Sequence, residues 1–596
     1  MKPTVVTTDP HQLFDSRPTF SHAASSLGPS RMVMTAGQVG ADEDGCVPAD
    51  TTAQIELAFR NLRRCLEATG ATVRDIIKLV YYIVDYDPNN RLHLAPLVRF
   101  LDGHRPATTL VPVPKLARPE FKFEVEAYVA IPQQPLREVD VVVVGAGLSG
   151  LKTAYDVQKA GYSCAVVEAR DRVGGKTWSV DKDGGDKFVD RGAAWINDTN
   201  QSEVYKLALA LGLRLVVQNT TGNVVQQDID SRVSQFPYGS VPQGLASGGT
   251  QDLVAIRDKA ESVCQTLDIY DPVRTGGHLD KITLEEWIKT EGGGETGLAS
   301  AAIWTRAMLG LEPSEMSALF FLNYCKSGGG LLQMRSDRKD GGQYLRFARG
   351  TQSLSIGLAA LLQPDSILFS SPVRSATQTE RGVHVVSARG DFLCRRLVVS
   401  VPTPLYKEIR FEPPLPAAKG QLAAQNRLGY INKVILRYAS PWWRQHGLCG
   451  MLQSFTGPVS VSRDSSVDEV GQYSLTCFLA GKTGREQSQL SQAERVRNVA
   501  EHIRQTLGQG ISDVPEPIGF EEHEWSRDQW AQGCPCPTAP PGVMSQYEQA
   551  LRAPHGRVHF VGTETAYEWK GYLEGAVRSG ARGAQEVIQA LGAAKL

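Results

Sequence analysis

The 596-residue sequence lacks three features that assign many proteins quickly: an excess of one charge, a long apolar run and a metal-type cysteine pattern. Its 63 Lys and Arg residues balance 64 Asp and Glu residues, so no basic field favours nucleic acid or a membrane surface. No apolar run reaches the roughly 18 residues that cross a membrane, and the first residues contain no apolar core of a secretory signal. We therefore expect a soluble intracellular protein without nucleic-acid partners.

The ten cysteines are scattered, and none has a paired zinc spacing. The one close pair, Cys534 and Cys536, does not have the CxxC spacing, and this cysteine usage is typical of a reducing compartment. The last residues, Ala594-Lys595-Leu596, differ from the peroxisomal Ser-Lys-Leu signal by one small residue. They predict a peroxisomal location, and the alternative is a tail with no targeting role.

The length of the chain exceeds what one core supports, so about two to four domains are expected. Residues 1–132 have the pattern of an α+β domain, residues 133–138 are predicted to be a linker, and residues 139–596 form the main domain. Apolar periodicity and β-branched runs predict the elements of the first domain. They are strands at Met32–Gly40, Ile76–Val84 and Lys122–Ala130 and helices at Thr51–Ala68 and Leu92–Leu101.

The main domain begins with a glycine-rich segment of the dinucleotide-binding type. Val141–Val144 predict a buried parallel strand, and the helix predicted from Leu151 to Lys159 directs its first N–H groups at a phosphate. A second strand, Cys164–Val167, ends at Glu168, where an acceptor for a ribose hydroxyl belongs. The turn contains Gly145, Gly147 and Gly150, and Arg170, Gly174 and Gly175 extend the phosphate contacts beyond the nicotinamide pattern. Three glycines alone also occur in chance turns, but the full order of elements predicts a dinucleotide site.

A second glycine-rich segment lies near the other end of the main domain. It contains Gly562, Thr563 and Glu564 after an apolar strand, followed by Gly571–Gly575. Together, the two segments predict that both ends of one large domain hold a single ligand, FAD.

Residues 14–132 resemble the Rid family of small imine-hydrolysing proteins. The resemblance is carried by Ala36–Gly40, Ala58–Leu62, Ile77-Lys78 and Glu124–Ala127. The family's working arginine would follow Pro106-Ala107, where this chain has Thr108, whereas Glu126 matches the family's glutamate. A threonine cannot form the two charge-assisted bonds by which an arginine holds a carboxylate. The resemblance therefore implies a retained fold whose imino-acid chemistry is lost or redirected, and the alternative is hydrolysis of an imine without a carboxylate.

Residues 139–590 resemble the flavin monoamine oxidase family. Besides the two glycine-rich segments, the matching motifs are Phe188–Gly192, Glu315–Leu319, Gly341–Gln343, Pro372-Val373, Phe411–Pro416, Gly429–Val434 and Pro541-Gly542. The resemblance implies an α/β, Rossmann-like FAD-binding part that is interleaved in sequence with a substrate-binding part. The FAD contacts that it implies are Gly145, Gly147, Gly150, Glu168, Arg170, Gly175, Lys176, Thr177, Val373, Cys534, Gly562, Thr563, Glu564 and Leu573. Lys176 replaces the family's arginine, and Ala193-Ala194-Trp195 replaces a Gly-Ser-Tyr-like turn, both in ways compatible with FAD.

The same resemblance assigns the reacting end of the site. Lys433 matches the lysine that holds a water at flavin N5; a surface lysine is the alternative, because the pattern Ile431, Lys433, Ile435 does not distinguish the two. Tyr572 matches one wall of the family's two-tyrosine cage, and a packed core tyrosine is the alternative. Gln343 matches a substrate-pocket glutamine over the flavin.

The opposite wall of the cage departs from the family. Cys534 aligns with the cysteine that bonds covalently to flavin in the mitochondrial members, and a free thiol is the alternative. Pro535 stands where the second tyrosine belongs, so the half-built cage should admit a bulkier or more flexible amine. Phe321 and Tyr324, on one predicted helix, are either pocket lining or core, and core is favoured.

We therefore expect an FAD-dependent oxidase that converts a primary amine and O2 into an imine and hydrogen peroxide, with hydride transfer to flavin N5. Hydrolysis of the imine gives an aldehyde and ammonia. An apolar, aromatic pocket suits this reaction, because it favours the neutral amine, which is the only form with a free lone pair on nitrogen. The fusion with a Rid-like unit is similar to fungal amine oxidases that act on long-chain amino polyols such as fumonisins. Members of both families assemble, so a homo-oligomer is also expected.

Three alternatives stay open. An L-amino acid oxidase needs an arginine for the substrate carboxylate, for which Arg335 and Arg346 are candidates. A polyamine oxidase needs acidic residues along its tunnel. A non-enzymatic role for FAD is disfavoured because Lys433 and Tyr572 are both present.

Overall fold

The structure is a computed structural model that describes residues 5–10, 13–132, 134–181, 184–245 and 248–593. Its contacts divide the chain into two compact units. The first comprises Met1–Val139 and two later segments, Val167–Asp171 and Leu368–Cys394, and the second comprises the remaining residues. The predicted peroxisomal signal at residues 594–596 lies outside the described residues.

The first unit contains a mixed five-stranded sheet with two helices packed into a common core. Three of its strands run antiparallel to their neighbours, and the last pair, Ile76–Val84 with Ala107–Val113, is parallel. The strand order is Ser30–Met34, Phe123–Pro132, Ile76–Val84 and Ala107–Val113, with Gln38–Val39 also paired to Phe123–Pro132. The helices are Thr51–Thr69 and Leu94–Leu101, and a separate hairpin joins Val5–Thr8 to Ala23–Ser26. The predicted α+β domain is confirmed.

Local sequence explains where these elements begin and end. The side chain of Asp50 accepts a hydrogen bond from the Ala53 backbone N–H at 2.7 Å, and Gly70 ends the helix in the left-handed region with φ 74°. The predicted strand at residues 32–40 is split into two strands instead. The reason is that the Thr35 hydroxyl, at 3.0 Å, accepts the Ala127 N–H that a regular ladder would give to a carbonyl.

Two arginines of a later hairpin contact the N-terminal domain inside the first unit. The hairpin consists of Val373–Thr379 and Gly382–Ser387, and it continues into the strand Gly390–Val399. The Arg389 guanidinium forms a buried ion pair with Asp75, and Arg374 donates to the Thr69 carbonyl at 3.1 Å. The N-terminal domain is therefore tied to a segment from the middle of the chain.

The strand Gln134–Val144 leads from the first unit into the second. This strand includes residues 134–138, which the sequence predicts to be a linker. Pro135 favours an extended backbone at the residue before it, and a strand has the same extended backbone. The glycine-rich turn and the helix Leu148–Lys159 follow, and then the strand Cys164–Val167. The valines of the first strand are fully buried, as their run predicts.

A seven-stranded sheet dominates the second unit. Its order is Val233–Pro237, Asn223–Gln227, Leu448–Ser454, Val461–Asp464, Tyr473–Ala480, Ile431–Tyr438 and Gly519–Glu524. A three-stranded sheet consists of Trp195–Ile196, Leu345–Phe347 and Leu215–Val217, and a hairpin pairs Ser179–Asp181 with Phe188–Asp190. Val558–Phe560 runs parallel to residues 397–399 of the strand Gly390–Val399. These sheets carry the candidate site residues of the second unit on rigid elements.

Helices surround these sheets. The main ones are Ser202–Ala210, Gly249–Gln265, Leu284–Thr290, Glu295–Leu309, Ala318–Ser327, Leu331–Met334, Gln352–Ala360, Ala417–Gln425, Gly481–Gln487, Gln492–Thr506, Val543–Arg552 and Leu573–Ala593. Seven of them share one core that contains Trp304, Phe321 and Tyr324. Within the described part of the chain, each helix is too short or too polar to cross a membrane.

Candidate active site

Steric constraints explain why glycine occupies both ends of the turn from Gly145 to Gly150. Gly145 has φ 99°, which disfavours a side chain, and a Cβ on Gly150 would lie 2.1 Å from the Gly145 carbonyl oxygen. A Cβ on Gly147 would meet no atom within 4 Å, so the turn leaves open space at the start of the helix Leu148–Lys159. Backbone N–H groups at a helix start are suited to a phosphate, and the residues present therefore fit the pyrophosphate of FAD.

A glycine pair, Gly174 and Gly175, packs against this turn. Gly174 donates its N–H to the Ala146 carbonyl at 2.8 Å, and Gly175 has φ 56° beside Gly147. Thr177 is buried and donates its hydroxyl to the Gly174 carbonyl at 2.9 Å. Gly145, Gly147, Gly150, Gly175 and Thr177 are thus brought together.

Three of the predicted FAD contacts belong to the first unit. Glu168 is buried, and its carboxylate accepts the Arg170 backbone N–H at 2.8 Å. The segment that carries them is paired with the one that contains Val373, because Ser371 donates its N–H to the Glu168 carbonyl at 2.8 Å. Glu168, Arg170 and Val373 therefore lie on two joined segments.

The C-terminal glycine segment folds Tyr572 back onto Thr563. The Thr563 hydroxyl donates to the Tyr572 carbonyl at 2.7 Å, and Gly562 has φ 143°, a value that glycine tolerates. Glu564 accepts the Thr403 N–H at 3.0 Å, and burial raises the pKa of its carboxyl. Leu573 is the first residue of the last helix, Leu573–Ala593.

Lys433 lies on the strand Ile431–Tyr438, which is paired on both sides in the seven-stranded sheet, and is 7% exposed, so the surface alternative is wrong. Its ammonium group donates to the Gly192 carbonyl and lies 3.5 Å from the Asp190 carbonyl oxygen. The rings of Trp195 and Phe478 each have their centroid 5.4 Å from Nζ. Burial lowers the pKa of Lys433 to about 8, although the nearby Asp190 carboxylate acts in the opposite direction.

The segment around Cys534 meets Lys433 and Lys176. Lys176 donates to the Pro535 carbonyl at 3.1 Å, and the Cys534 thiol lies 3.4 Å from the Ile431 carbonyl oxygen. Burial raises the pKa of the Cys534 thiol, and the positive charges of Lys176 and Lys433 oppose that shift. The Cys534–Pro535 peptide bond is cis.

Tyr572 packs in an aromatic group with Tyr324 and Trp569. The ring centroid of Tyr572 lies 6.1 Å from that of Tyr324 and 5.1 Å from that of Trp569. Tyr324 is 1% exposed and belongs to the helical core, which confirms the core interpretation. It also stands directly behind the predicted cage tyrosine, which its position on a helix did not indicate.

Gln343 connects this aromatic group to the backbone at Met334. Its amide donates to the Met334 carbonyl at 2.7 Å and lies 3.5 Å from the Tyr572 hydroxyl. The Gln343 Oε1 atom is buried without a hydrogen-bond partner among the described residues. Gln343 therefore presents a spare acceptor next to Tyr572.

The two arginines considered for a substrate carboxylate differ. Arg346 donates to Gln218 Oε1 at 3.1 Å and to the Ser465 and Ser466 carbonyls at 3.1 and 2.6 Å. Three of its five N–H donors are thus used by the protein, which disfavours Arg346 as the ligand of a substrate carboxylate. Arg335 lies 5.4 Å from the ring centroid of Trp304.

Family comparisons divide the chain as the two resemblances do. Residues 148–588 match the model of the family described as flavin containing amine oxidoreductase, and residues 13–131 match the family described as Endoribonuclease L-PSP. The flavin-containing amine oxidase B of Sus scrofa is 30% identical over 459 residues, which are 76% of this chain and 86% of the relative. The flavin-containing amine oxidase B of Homo sapiens gives the same three values: 30% identity, 76% of this chain and 86% of the relative.

Solved structures show the same fold. Wild-type putrescine oxidase bound to putrescine superposes with a TM-score of 0.70 and 27% identity, covering 77% of this chain and 100% of the other. Cyclohexylamine oxidase from Brevibacterium oxydans IH-35A superposes with a TM-score of 0.71 and 28% identity, covering 76% of this chain and 99% of the other. The predicted α/β FAD-binding fold with an N-terminal Rid-like domain is confirmed.

Proposed function

The chain belongs to the family of flavin-containing amine oxidoreductases, and from this premise we propose that it oxidises a primary amine with O2 and releases hydrogen peroxide. It is an FAD-dependent amine oxidase. FAD, when bound, accepts the hydride equivalent from the carbon next to the amine nitrogen. The observation that carries the proposal is the buried Lys433 ammonium group enclosed by Trp195 and Phe478.

Residues of the second unit would hold FAD along its length. The Gly145–Gly150 turn and the start of its helix suit the pyrophosphate, and the segment from Trp569 to Leu573 suits the isoalloxazine. The further residues proposed for FAD are Gly175, Lys176, Thr177, Cys534, Gly562, Thr563 and Glu564. The roles of Glu168, Arg170 and Val373 toward FAD stay predictions.

The amine would be oriented by Tyr572 and Gln343. The Tyr572 ring offers a flat apolar face, and the spare Gln343 Oε1 acceptor suits an amine N–H. The aromatic surroundings favour the neutral amine, which is the form with a lone pair. Pro535 in place of a second tyrosine supports an amine bulkier than an arylethylamine.

Lys433 would hold a water molecule rather than the substrate. Two of its ammonium protons point at the carbonyls of Gly192 and Asp190, which leaves one position of Nζ for a water. Because its pKa is about 8, a substantial part of Lys433 is neutral just above neutral pH, so it can also move a proton.

Oxygen consumption with a panel of alkylamines, polyamines and L-amino acids tests the function, with peroxide and aldehyde assayed as products. We expect turnover of primary alkylamines with one peroxide formed per O2. Purified protein that holds FAD and oxidises none of these amines contradicts the proposal. An L-amino acid preference is not favoured, since Arg346 is used by the protein itself.

Three further predictions concern the setting of the enzyme. A long-chain amino polyol as substrate, a homo-oligomeric state and a peroxisomal location stay predictions. The last depends on residues 594–596 and is tested by fluorescence microscopy of a fusion that ends in Ala594-Lys595-Leu596.

A further inference from the structure

The residues predicted to hold the adenosine end of FAD lie in the same compact unit as the N-terminal domain. Two segments of that unit carry them: Val167–Asp171, which contains Glu168, and Leu368–Cys394, which contains Val373. An acid at the end of the second strand of a dinucleotide-binding unit suits a ribose hydroxyl. The N-terminal domain and the predicted adenosine contacts therefore belong to one folded body.

Irregular backbone joins these contacts. Residues 369–372 form neither helix nor strand, and Ser370 has φ 50°, in the left-handed region that a serine seldom adopts. The N–H groups of Ser370 and Ser371 donate to the carbonyls of Arg170 and Glu168, each at 2.8 Å. A loop that contains a strained residue keeps its shape only when the surrounding structure fixes it. The geometry of the predicted contacts thus depends on what packs against this loop.

The N-terminal domain packs directly on the end of the loop. A Cβ on Gly70, the residue that ends the first helix, would lie 3.3 Å from Pro372 Cδ and 2.1 Å from Ala388 Cβ. All three residues are buried, and the Ala388 N–H donates to the Pro372 carbonyl at 3.1 Å. Because Pro372 is bonded to Val373, the domain rests one residue away from a predicted FAD contact.

Two arginines fasten the domain beside this contact. Arg374 donates to the Thr69 carbonyl at 3.1 Å, at the C-terminal end of a helix, where a cation is favourable. Arg389 forms an ion pair with Asp75, and the two side chains are 14% and 5% exposed. Each arginine lies within two residues of the proline or the alanine that Gly70 contacts. The docking contacts therefore surround the loop instead of lying at a distance from it.

From this arrangement we propose that the N-terminal domain is an internal clamp for FAD. By docking on the hairpin, it holds the adenosine-binding segments in their binding geometry and so raises the affinity of the protein for FAD. The reason is that an apparent dissociation constant falls as the fraction of molecules with a formed site rises. The inference rests on FAD as the cofactor and on the predicted contacts at Glu168 and Val373. It gives the domain a function that needs no arginine at Thr108 and no imine chemistry.

The coupling between the domain and FAD must act in both directions. If docking strengthens FAD binding, FAD binding must strengthen docking by the same factor. Loading the protein with FAD should therefore increase the hydrogen-exchange protection of backbone amides in the helix Thr51–Thr69 and the strand Ile76–Val84. This readout lies in the N-terminal domain and does not depend on enzyme activity.

The test measures FAD affinity in the full-length chain. All proteins carry Cys534→Ala, so that no thioether retains the flavin, and flavin-free protein is titrated with FAD while the flavin fluorescence is followed. Arg389→Gln should raise the dissociation constant by about 5- to 150-fold, the usual range of coupling between two sites. Arg389→Lys should lose less affinity, because it keeps the charge that faces Asp75. With FAD at saturation, kcat should equal that of the Cys534→Ala protein.

Three controls separate docking from other causes. Arg381→Gln removes an exposed ion pair of the same hairpin and should leave the dissociation constant unchanged. Leu62→Ala destabilises the core of the domain, where Leu62 is fully buried, but removes no docking contact. It should also leave FAD affinity unchanged at a temperature where circular dichroism shows the protein folded. Glu168→Ala reports how much the predicted ribose contact contributes to FAD binding.

Each outcome supports or overturns the clamp. Equal FAD affinity with and without Arg389→Gln overturns it, and so does an equal loss of affinity in Leu62→Ala, which assigns the loss to stability. Unchanged affinity in Glu168→Ala contradicts the predicted contact and the clamp together, whereas the amine oxidase function is tested separately by oxygen consumption. If Arg389→Gln does not fold, hydrogen exchange of the Cys534→Ala protein decides: unchanged protection of Thr51–Thr69 on FAD loading overturns the clamp.

Discussion

The ammonium group of Lys433 lies 5.4 Å from the ring centroid of Trp195, in a place where the described residues offer carbonyl oxygens and aromatic rings but no carboxylate in direct contact. The arrangement keeps a lysine deep in a sheet while lowering its pKa to about 8. A lysine in this state has a proton to share and little competing solvent, which suits a group that positions water near a flavin.

Replacing Lys433 by methionine should therefore impair turnover without loss of FAD. We expect Lys433→Met to slow flavin reduction or its reoxidation by O2 by roughly tenfold to hundredfold, because the water loses its holder. Stopped-flow absorbance of the flavin measures the two half-reactions separately. Lys206→Met, at an exposed lysine paired with Glu203, is the matched control. Wild-type rates in both half-reactions of Lys433→Met contradict the role given to Lys433.

The lowered pKa of Lys433 also predicts how stability depends on pH. Burial, the main cause, brings the pKa to about 8 in the folded protein from an ordinary value of 10.5. Between these two values the unfolded chain binds more protons at this residue than the folded protein does, so the residue's contribution to stability rises with pH. Below about pH 8 both states are protonated and the contribution is constant, at its least favourable value.

Denaturant unfolding of wild type and Lys433→Met at several pH values checks this window. We expect the difference in free energy of unfolding to move in favour of the wild type from about pH 8 to 10.5 and to be flat below. Titrating groups that do not interact with Lys433 cancel in the difference. A difference that stays flat across the window, or moves in favour of the variant, contradicts a neutral buried Lys433.

Burial raises the pKa of the Cys534 thiol, whereas the charges of Lys176 and Lys433 oppose that shift. Because Cys534 aligns with the cysteine that bonds to flavin in the mitochondrial family members, we predict a covalent thioether between Cys534 and FAD. Acid precipitation should then leave the flavin colour in the pellet for the wild type and for Cys536→Ala, and release it to the supernatant for Cys534→Ala. Release of the flavin from the wild-type protein refutes the bond.

Substitution of Pro535 tests whether the missing second tyrosine of the cage determines which amines are accepted. Pro535→Tyr should complete an aromatic wall opposite Tyr572 and lower kcat/KM for long or branched amines relative to benzylamine by about tenfold. The ratio of the two kcat/KM values is the measurement, since it is insensitive to the amount of active enzyme. Pro540→Tyr, in the same loop, serves as the control. An unchanged ratio for Pro535→Tyr means that residue 535 does not limit substrate size.

Much of the fold and of the FAD-binding loop could be predicted because their signals are local. The valine run, the glycines and the capped helix Thr51–Thr69 each depend on neighbours in sequence. The burial of Lys433 could not be predicted from periodicity, because nearly every residue of its strand, Ile431–Tyr438, is buried on both faces. The buried ion pair between Arg463 and Asp337 was equally hidden, because the two residues lie far apart in sequence. Contacts between segments far apart in sequence leave no periodic mark.

The buried ion pair between Asp75 and Arg389 leads to a prediction about the fused N-terminal domain. The Arg389 side chain is 14% exposed and that of Asp75 is 5% exposed, so removing Arg389 leaves a buried carboxylate with only its two hydrogen bonds from Thr72. Arg389→Gln should lower the local stability of the helix Thr51–Thr69 and the strand Ile76–Val84 by about 3–5 kcal/mol. Hydrogen exchange of their backbone amides, followed by mass spectrometry, measures this loss directly.

The hairpin also contains its own control. Arg381 pairs with Glu138 at 3.1 Å, but their side chains are 75% and 64% exposed. Arg381→Gln should therefore change the same amides by no more than about 1 kcal/mol, as exposed pairs do. Equal protection in both variants would show that Asp75 and Arg389 do not hold the domain to this hairpin. A large loss confined to Arg389→Gln, with amine oxidation retained, supports a structural role for the Rid-like domain, which its Thr108 predicts.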